Sequence, residues 1–340
     1  MLTKLFLFFL LTSSSYQAQQ SPLSFSKIKS ERVIIDNDSI RLRVEDINSK
    51  TPFQIDYTPL LEETIINYLE NRQSTYLELY SKSDYFFPIF ENALQKYNVP
   101  LELKYLPVVE SALNPRAKSR VGATGLWQFM FNTAKDLGLK VNSYVDERMD
   151  PVKSSEAAAK YLSELYIRFN DWNLAIAAYN YGPGNIKRAI KASGYSNFWN
   201  LRGYLPKETA NYVPSFIATL YLFEFANKHE IKIKNNETMF VQTDSILIKK
   251  MVSFSHISEQ INIPEETLSF LNPSYIHSII PSIKNKQYYL TLPQTHTGLF
   301  IDKEVEIYAM ANLEYNSREK PLPQLYELNS RTVYRVVNGD

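Results

Sequence analysis

From Thr58 to Ala226 apolar residues return every three or four positions, the period of a helix with one buried face, so this stretch is expected to be almost entirely helical. Thr58 and Pro59 open the first helix as cap and first-turn residue, with Leu61, Ile65, Ile66 and Leu69 on one face. The stretches "DYFFPIFENALQKY" and "PLELKYLPVVESA" continue the pattern, the second with an expected kink at Pro107, which lacks the amide proton of the helical ladder. Asp150 as N-cap and Pro151 behind it start another helix, striped by Ala158, Leu162, Leu165 and Phe169. "NLAIAAYN" predicts a short apolar helix stopped by Gly182, Pro183 and Gly184, and "LPKETANYVPSFIATLYLFEFA" a long one after it.

The pattern changes on both sides of this region. Residues 19–55 are polar, lack a sustained period and read as a loosely ordered N-terminal arm. Beyond the charged linker "NKHEIKIKNNETMF", the segments "DSILIKKMV" and "QYYLTLP" predict strands that enclose two short helices, "HISEQI" and "PEETLSFL". The result is a small βααβ module over 243–297, followed by a mixed tail, 298–340, with no assigned role. The main helical domain is expected over 56–230. If the module is autonomous, a chain ending near Lys234 should fold and work without it.

The opening "MLTKLFLFFLLTSSSYQAQQ" sets Lys4 before a short apolar run and a small-residue stretch ending near Ala18, the layout of a secretory signal peptide over 1–18 and too short for a bilayer span. An exported protein of the periplasm or cell envelope is the expectation. With no cysteine in the chain, disulfides, thiolate chemistry and a lipidated cysteine anchor are excluded, and no stable membrane anchor is expected after cleavage. Lys and Arg number 37 against 36 Asp and Glu, so no basic field points to nucleic acid. The four histidines are scattered, which argues against a metal cluster or a histidine-based triad.

Four segments of the helical region carry polar groups that a helix bundle does not otherwise need. Glu110 follows the apolar run Tyr105 to Val109, where a carboxylate is costly unless paired or used. In "GATGLWQFM" two glycines bracket a tight turn and let backbone approach a ligand while Gln128 offers an amide. "AYNYGPG" ends a helix with Tyr179 and Asn180, and "LPKETANYVP" sets Glu208 and Tyr212 four apart on one face. Each alone has an ordinary structural reading as a cap, a core aromatic or a solvated face.

Together and in this order, the segments from about Tyr57 to Asn227 resemble the lytic transglycosylases, lysozyme-like enzymes of glycoside hydrolase family 23 that cleave peptidoglycan, and most of all their membrane-bound lytic murein transglycosylase D branch with its "GLWQF" and "ETxxYVP" pattern. The resemblance implies a mainly α fold, with a lysozyme-like catalytic domain ahead of the small module. It implies that Glu110 is the single catalytic acid/base, supported by Ser111. Gln128, Met130 and Thr133 would line the sugar cleft, Tyr179 and Asn180 would contact the reacting muramyl residue, and Glu208 and Tyr212 would close the site. The implied partner is a peptidoglycan strand, without metal or organic cofactor, and the implied products end in 1,6-anhydromuramic acid. Phe131 stands where the family often has proline, which should alter only how the next helix starts. The βααβ unit resembles a LysM module, a fold that grips N-acetylglucosamine chains, although the usual glycine before its last strand is missing from "NKQYYLTLP". A muramidase that activates water through Glu208, or a silent glycan-binding scaffold, remains open on the residues alone.

Overall fold

The computed structural model describes residues 36–71, 73–229, 231 and 242–328. The leader, most of the N-terminal arm, nearly all of the linker and the end of the tail lie outside the described residues.

Helix α1 (Asn37–Lys50) is the first departure from expectation, because it falls where the sequence reads as a loosely ordered arm. Ile40, Val44 and Ile47 are buried at spacings of four and three, a stripe hidden in the sequence by the charged residues between them. Helix α2 (Pro59–Asn71) begins as expected, with the Leu61 amide donating to Thr58 Oγ1 at 3.3 Å. Helix α3 (Gln73–Lys96) continues through Pro88. A 3-10 turn, Leu101–Tyr105, then gives way to the short helix α4 (Leu106–Ser111). Pro107 sits in the first turn of α4, where its missing amide proton costs nothing, so the chain changes helix type there instead of kinking one continuous helix.

The expectation of near-continuous helix fails next. Only α5 (Phe131–Asp136) interrupts the largely non-helical stretch from Ala112 to Asp150. Helix α6 (Pro151–Phe169) starts on Asp150, whose carboxylate accepts from the amides of Val152 and Lys153 at 3.0 and 2.9 Å. Helix α7 (Trp172–Tyr181) is buried along nearly its whole length; its run of alanines lets neighbouring helices close in. Gly182, at φ +91°, turns the chain directly into α8 (Pro183–Ser193), and the single turn α9 (Phe198–Leu201) follows.

The long helix α10 (Lys207–Phe225) runs through the core against α2, α4 and α7. Pro214 removes the amide that would meet the Ala210 carbonyl; Arg202 Nε donates to that carbonyl instead, at 2.9 Å.

The small module has strands β1 (Thr243–Ile248) and β2 (Val252–Ser253), helices α11 (Phe254–Ile261) and α12 (Glu265–Leu271), and strands β3 (Ile279–Ile280) and β4 (Tyr288–Pro293). β1 pairs antiparallel with β4, Thr243 opposite Pro293, and β2 with β3. The mixed tail also folds: α13 (Gln294–Asp302) and α14 (Glu304–Ser317) close the module core with Phe300, Ile307, Tyr308 and Ala311.

Candidate functional site

Glu110 lies one residue before the end of α4, and 7% of it is exposed. Immediately after it the chain reverses through two left-handed residues, Ala112 at φ +50° and Leu113 at +55°. Their amides return to the carbonyls of Val108 and Pro107, which caps a helix of fewer than two turns. Left-handed conformation costs a non-glycine residue roughly 1–2 kcal/mol, so the position of Glu110 is held against strain.

The phenol of Tyr212, one full turn along α10 from Glu208, donates to Glu110 Oε1 in a short hydrogen bond. Burial, and then the Glu110 charge and hydrogen bond, push the Tyr212 phenol well above its usual range, so it remains a neutral donor. Tyr179 on α7 is raised likewise by burial, Glu110 and Tyr161, and its hydroxyl donates to the Trp127 carbonyl at 2.7 Å. Asn180 is 4% exposed; its Oδ1 accepts from Thr209 Oγ1 at 2.9 Å, while its side-chain NH2 has no hydrogen-bond partner among the described residues. Three helices thus meet around Glu110: α4 brings the carboxyl, α10 the phenol of Tyr212, and α7 Tyr179, which feels the Glu110 charge, with the neighbouring Asn180 tied to α10 through Thr209.

The glycine turn forms a fourth wall. Gly122 and Gly125 both have φ +87°, and a Cβ on Gly125 would sit 1.8 Å from the Arg148 carbonyl oxygen. Gln128 is itself left-handed at φ +48° and buried, and its amide nitrogen donates to the carbonyls of Gly125 and Ala117 at 2.8 and 3.3 Å. The amide expected to face a ligand therefore fastens the turn that carries it. Met130 and Thr133 are half-buried at the start of α5, Met130 as its extended cap ahead of Phe131. Ser111 Oγ donates back to the Pro107 carbonyl at 2.9 Å, within its own helix. The structure gathers Glu110, Tyr179 and Tyr212 directly, and Asn180 through Thr209.

Two residues frame the site: Trp127, already part of the "GLWQF" pattern, and Arg148, which carried no signal in the sequence. Trp127 is fully buried, with its indole NH on Ser155 Oγ at 2.9 Å and its ring edge-on to Phe90. Arg148 binds Asp146 through Nε and Nη2, and its Nη1 reaches the carbonyls of Gly122 and Phe129 at 3.1 and 3.3 Å. One guanidinium therefore ties together the two ends of the glycine turn. Two residues of opposite charge, two apart, are too common for that role to be read from sequence.

Residues 87–202 match the Transglycosylase SLT domain, and residues 242–309 match the LysM-like domain of lytic transglycosylase MltD. The chain is 30% identical over 253 residues to membrane-bound lytic murein transglycosylase D of Escherichia coli (strain K12), covering 73% of this chain and 53% of that protein. It is 35% identical over 113 residues to membrane-bound lytic murein transglycosylase F of Pseudoalteromonas translucida, covering 30% of this chain and 23% of that one. Among solved structures, the 70 kDa soluble lytic transglycosylase of Escherichia coli aligns with 23% identity and a TM-score of 0.37, over 50% of this chain and 31% of that one. The chain spans about half the length of the first relative.

Proposed function

With an SLT domain followed by an MltD-type LysM-like domain, the chain belongs to the SLT-domain transglycosylase family, and from that premise we propose that it cleaves peptidoglycan without water, between N-acetylmuramic acid and N-acetylglucosamine. One observation supports this most: Glu110 is a buried carboxyl held by a phenol that burial keeps neutral. A two-carboxylate hydrolase would need a second acid facing the same bond, whereas a transglycosylase draws its second group from the sugar.

In this reading Glu110 gives its proton to the glycosidic oxygen and the bond to muramyl C1 breaks. The muramyl N-acetyl carbonyl stabilises the positive charge on C1. The Glu110 carboxylate then takes the proton of the muramyl C6 hydroxyl, and O6 closes on C1. Glu110 ends protonated, as it began, and the product is a 1,6-anhydro sugar. Tyr212 holds the carboxyl in place through both proton transfers. The buried, unpartnered NH2 of Asn180 suits a carbonyl of the bound muramyl residue, since leaving such a donor unsatisfied costs about 1–3 kcal/mol. Glu208, Gln128, Met130 and Thr133 are assigned to the walls of the cleft and Ser111 to support of α4. The catalytic unit is taken as 56–230 together with α1, and the glycan-gripping module as 243–297 together with α13 and α14, which close its core. The leader-like sequence of residues 1–18 and the proposed wall polymer substrate support action in the periplasm or cell envelope. Among the described residues no helix is long and apolar enough to cross a membrane.

Digestion of purified sacculi in oxygen-18 water tests the reaction type. Ring closure takes no oxygen from solvent, so muramyl ends should be unlabelled, non-reducing and one water lighter than hydrolytic ends. An oriented intramolecular hydroxyl outcompetes water by its high effective molarity. Glu110→Gln keeps the shape and loses the proton, and should cost about 100-fold or more in rate. Labelled, reducible ends would make the enzyme a hydrolase, with Glu208 as the next carboxylate to test.

A further inference from the structure

Between Asp171 and Glu208 the chain places five basic residues, Lys187, Arg188, Lys191, Arg202 and Lys207, and no acid, although the whole chain is balanced at 37 to 36. This run is bounded at both ends by the site: Asn180 lies seven residues before Lys187, and Lys207 directly precedes Glu208. Helix α8 carries three of these charges. Its inner face packs through Ile186, with Ala189 and Ile190 against the core, so Lys187, Arg188 and Lys191 are all exposed on the outer face.

Five lysines elsewhere, Lys96, Lys104, Lys153, Lys249 and Lys286, each meet a glutamate. Lys187, Arg188 and Lys191 form no ion pair among the described residues, and Arg188 meets only the neutral Asn185. Asp171, at the far end of α7, accepts from the Leu174 amide at 2.9 Å as that helix's cap. Like charges at i and i+4 destabilise a helix slightly, so a cluster left unrelieved is better explained by an anion from outside. Beside it the exposed rings of Tyr195 and Tyr204 pair at 5.9 Å, a flat apolar complement to the charges.

We propose that the outer face of α8, with the Tyr195–Tyr204 pair, docks the stem peptides of the peptidoglycan strand through their carboxylates. The inference rests on the reaction proposed above and names the form of strand preferred, one with charged stems. In a strand whose lactyl groups are amide-linked to peptide, the sugars are neutral and the stems hold the anionic groups. A stem projecting from a sugar beside Asn180 would meet α8, which begins three residues later.

The test compares two substrates and two enzymes. Soluble peptide-bearing glycan oligomers are used with their stem carboxylates free, or converted to neutral amides. The wild type is set against the triple variant Lys187→Gln, Arg188→Gln, Lys191→Gln. Three exposed pairs should together be worth about 5-fold to 50-fold in kcat/KM. Amidation should cost the wild type that factor, the triple variant should lose the same factor on free carboxylates, and amidation should then cost the variant less than about 2-fold, because the two changes remove one interaction. The wild-type preference should also shrink with added salt, the Debye length falling from about 8 Å at 0.15 M to about 3 Å at 1 M. Equal wild-type rates on both substrates, or a variant that still discriminates as the wild type does, overturns the proposal. Failure to cleave either substrate would instead overturn the reaction itself.

Discussion

Arg148 is the most heavily used buried charge in the frame of the site, and Arg148→Met tests what it holds. Its side chain and that of Asp146 are 8% and 6% exposed. The guanidinium donates to both Asp146 oxygens and to the carbonyls of Gly122 and Phe129. Methionine approximates the stem length but leaves the Asp146 carboxylate buried without its counter-ion, a loss of about 3–5 kcal/mol. The double variant Asp146→Asn, Arg148→Met removes the stranded charge and should recover roughly 2 kcal/mol of that, while the two carbonyls still lack their donor. Urea unfolding followed by the fluorescence of the chain's tryptophans, one of them the buried Trp127, measures both. A loss below about 1 kcal/mol for the single variant, or no recovery in the double, would refute a buried ion pair as the clasp of the glycine turn. The single variant should also lose turnover of soluble fragments, because Gln128 and Met130 ride on the clasped turn.

Gly125→Ala drives a Cβ into the Arg148 carbonyl at 1.8 Å and should cost about 3 kcal/mol or more, whereas Gly138→Ala, at the same φ of +87° but with nothing within 4 Å, should cost only the conformational term of about 1 kcal/mol; similar losses in urea unfolding would remove the steric argument. His229 accepts at Nε2 from Arg43 and contacts the Tyr221 hydroxyl, and burial followed by the Arg43 charge lowers it from 6.5 to about 4. The unfolded chain therefore binds the extra proton between those values, and stability should fall as pH drops through that window; a pH series of melts should be visibly flatter for His229→Gln, with the remaining slope shared by His256, which burial also lowers. A chain ending at Ile231 should melt about 5–10 °C below the full chain, since the partners of Tyr144, Val145 and Arg116 are removed; an unchanged melting point would make the module independent.

Much of the fold was legible because periodicity reports burial directly. The caps at Thr58 and Asp150 and the break at Gly182 are local chemistry, and the structure has them where the sequence predicts. Helix α1 was not legible because Leu42, 60% exposed, falls off its buried stripe and charged residues fill the gaps. The stretch after Ala112 was misread as helix because Phe129, Leu126 and Val145 are core residues on irregular backbone, and an apolar residue does not announce the backbone that carries it. At the site, the residue types were legible and the pairings were not. Nothing in the spacing of Glu110 and Tyr212, 102 residues apart, shows that they touch, and Gln128 turning inward depends on a left-handed φ that glutamine rarely adopts.

The sequence reads the C-terminal unit as a module on a tether, but its contacts make it part of the frame around the glycine turn. Between its second helix and its third strand, Ser274 accepts from the Asp146 amide and the Ile276 amide donates to the Tyr144 carbonyl, both at 2.9 Å, with Val145 bridged to Tyr275. Phe270 packs on the rings of Tyr85 and Phe86 of α3 at 5.2 and 5.6 Å. From the other side the tail returns: the Tyr144 hydroxyl donates to the Pro323 carbonyl at 2.6 Å, and the Ser143 amide to that of Tyr326 at 3.1 Å. Tyr144 and Val145 consequently belong to the hydrophobic core of the module although they lie within the sequence of the catalytic region. The residue that follows them, Asp146, is the partner of Arg148, so one short segment is fixed by the module through its backbone and fixes the glycine turn through its side chain. A glycan held by the module would therefore pull on a body joined to the cleft wall, and any loosening of the module would be felt first at the turn that carries Gln128 and Met130.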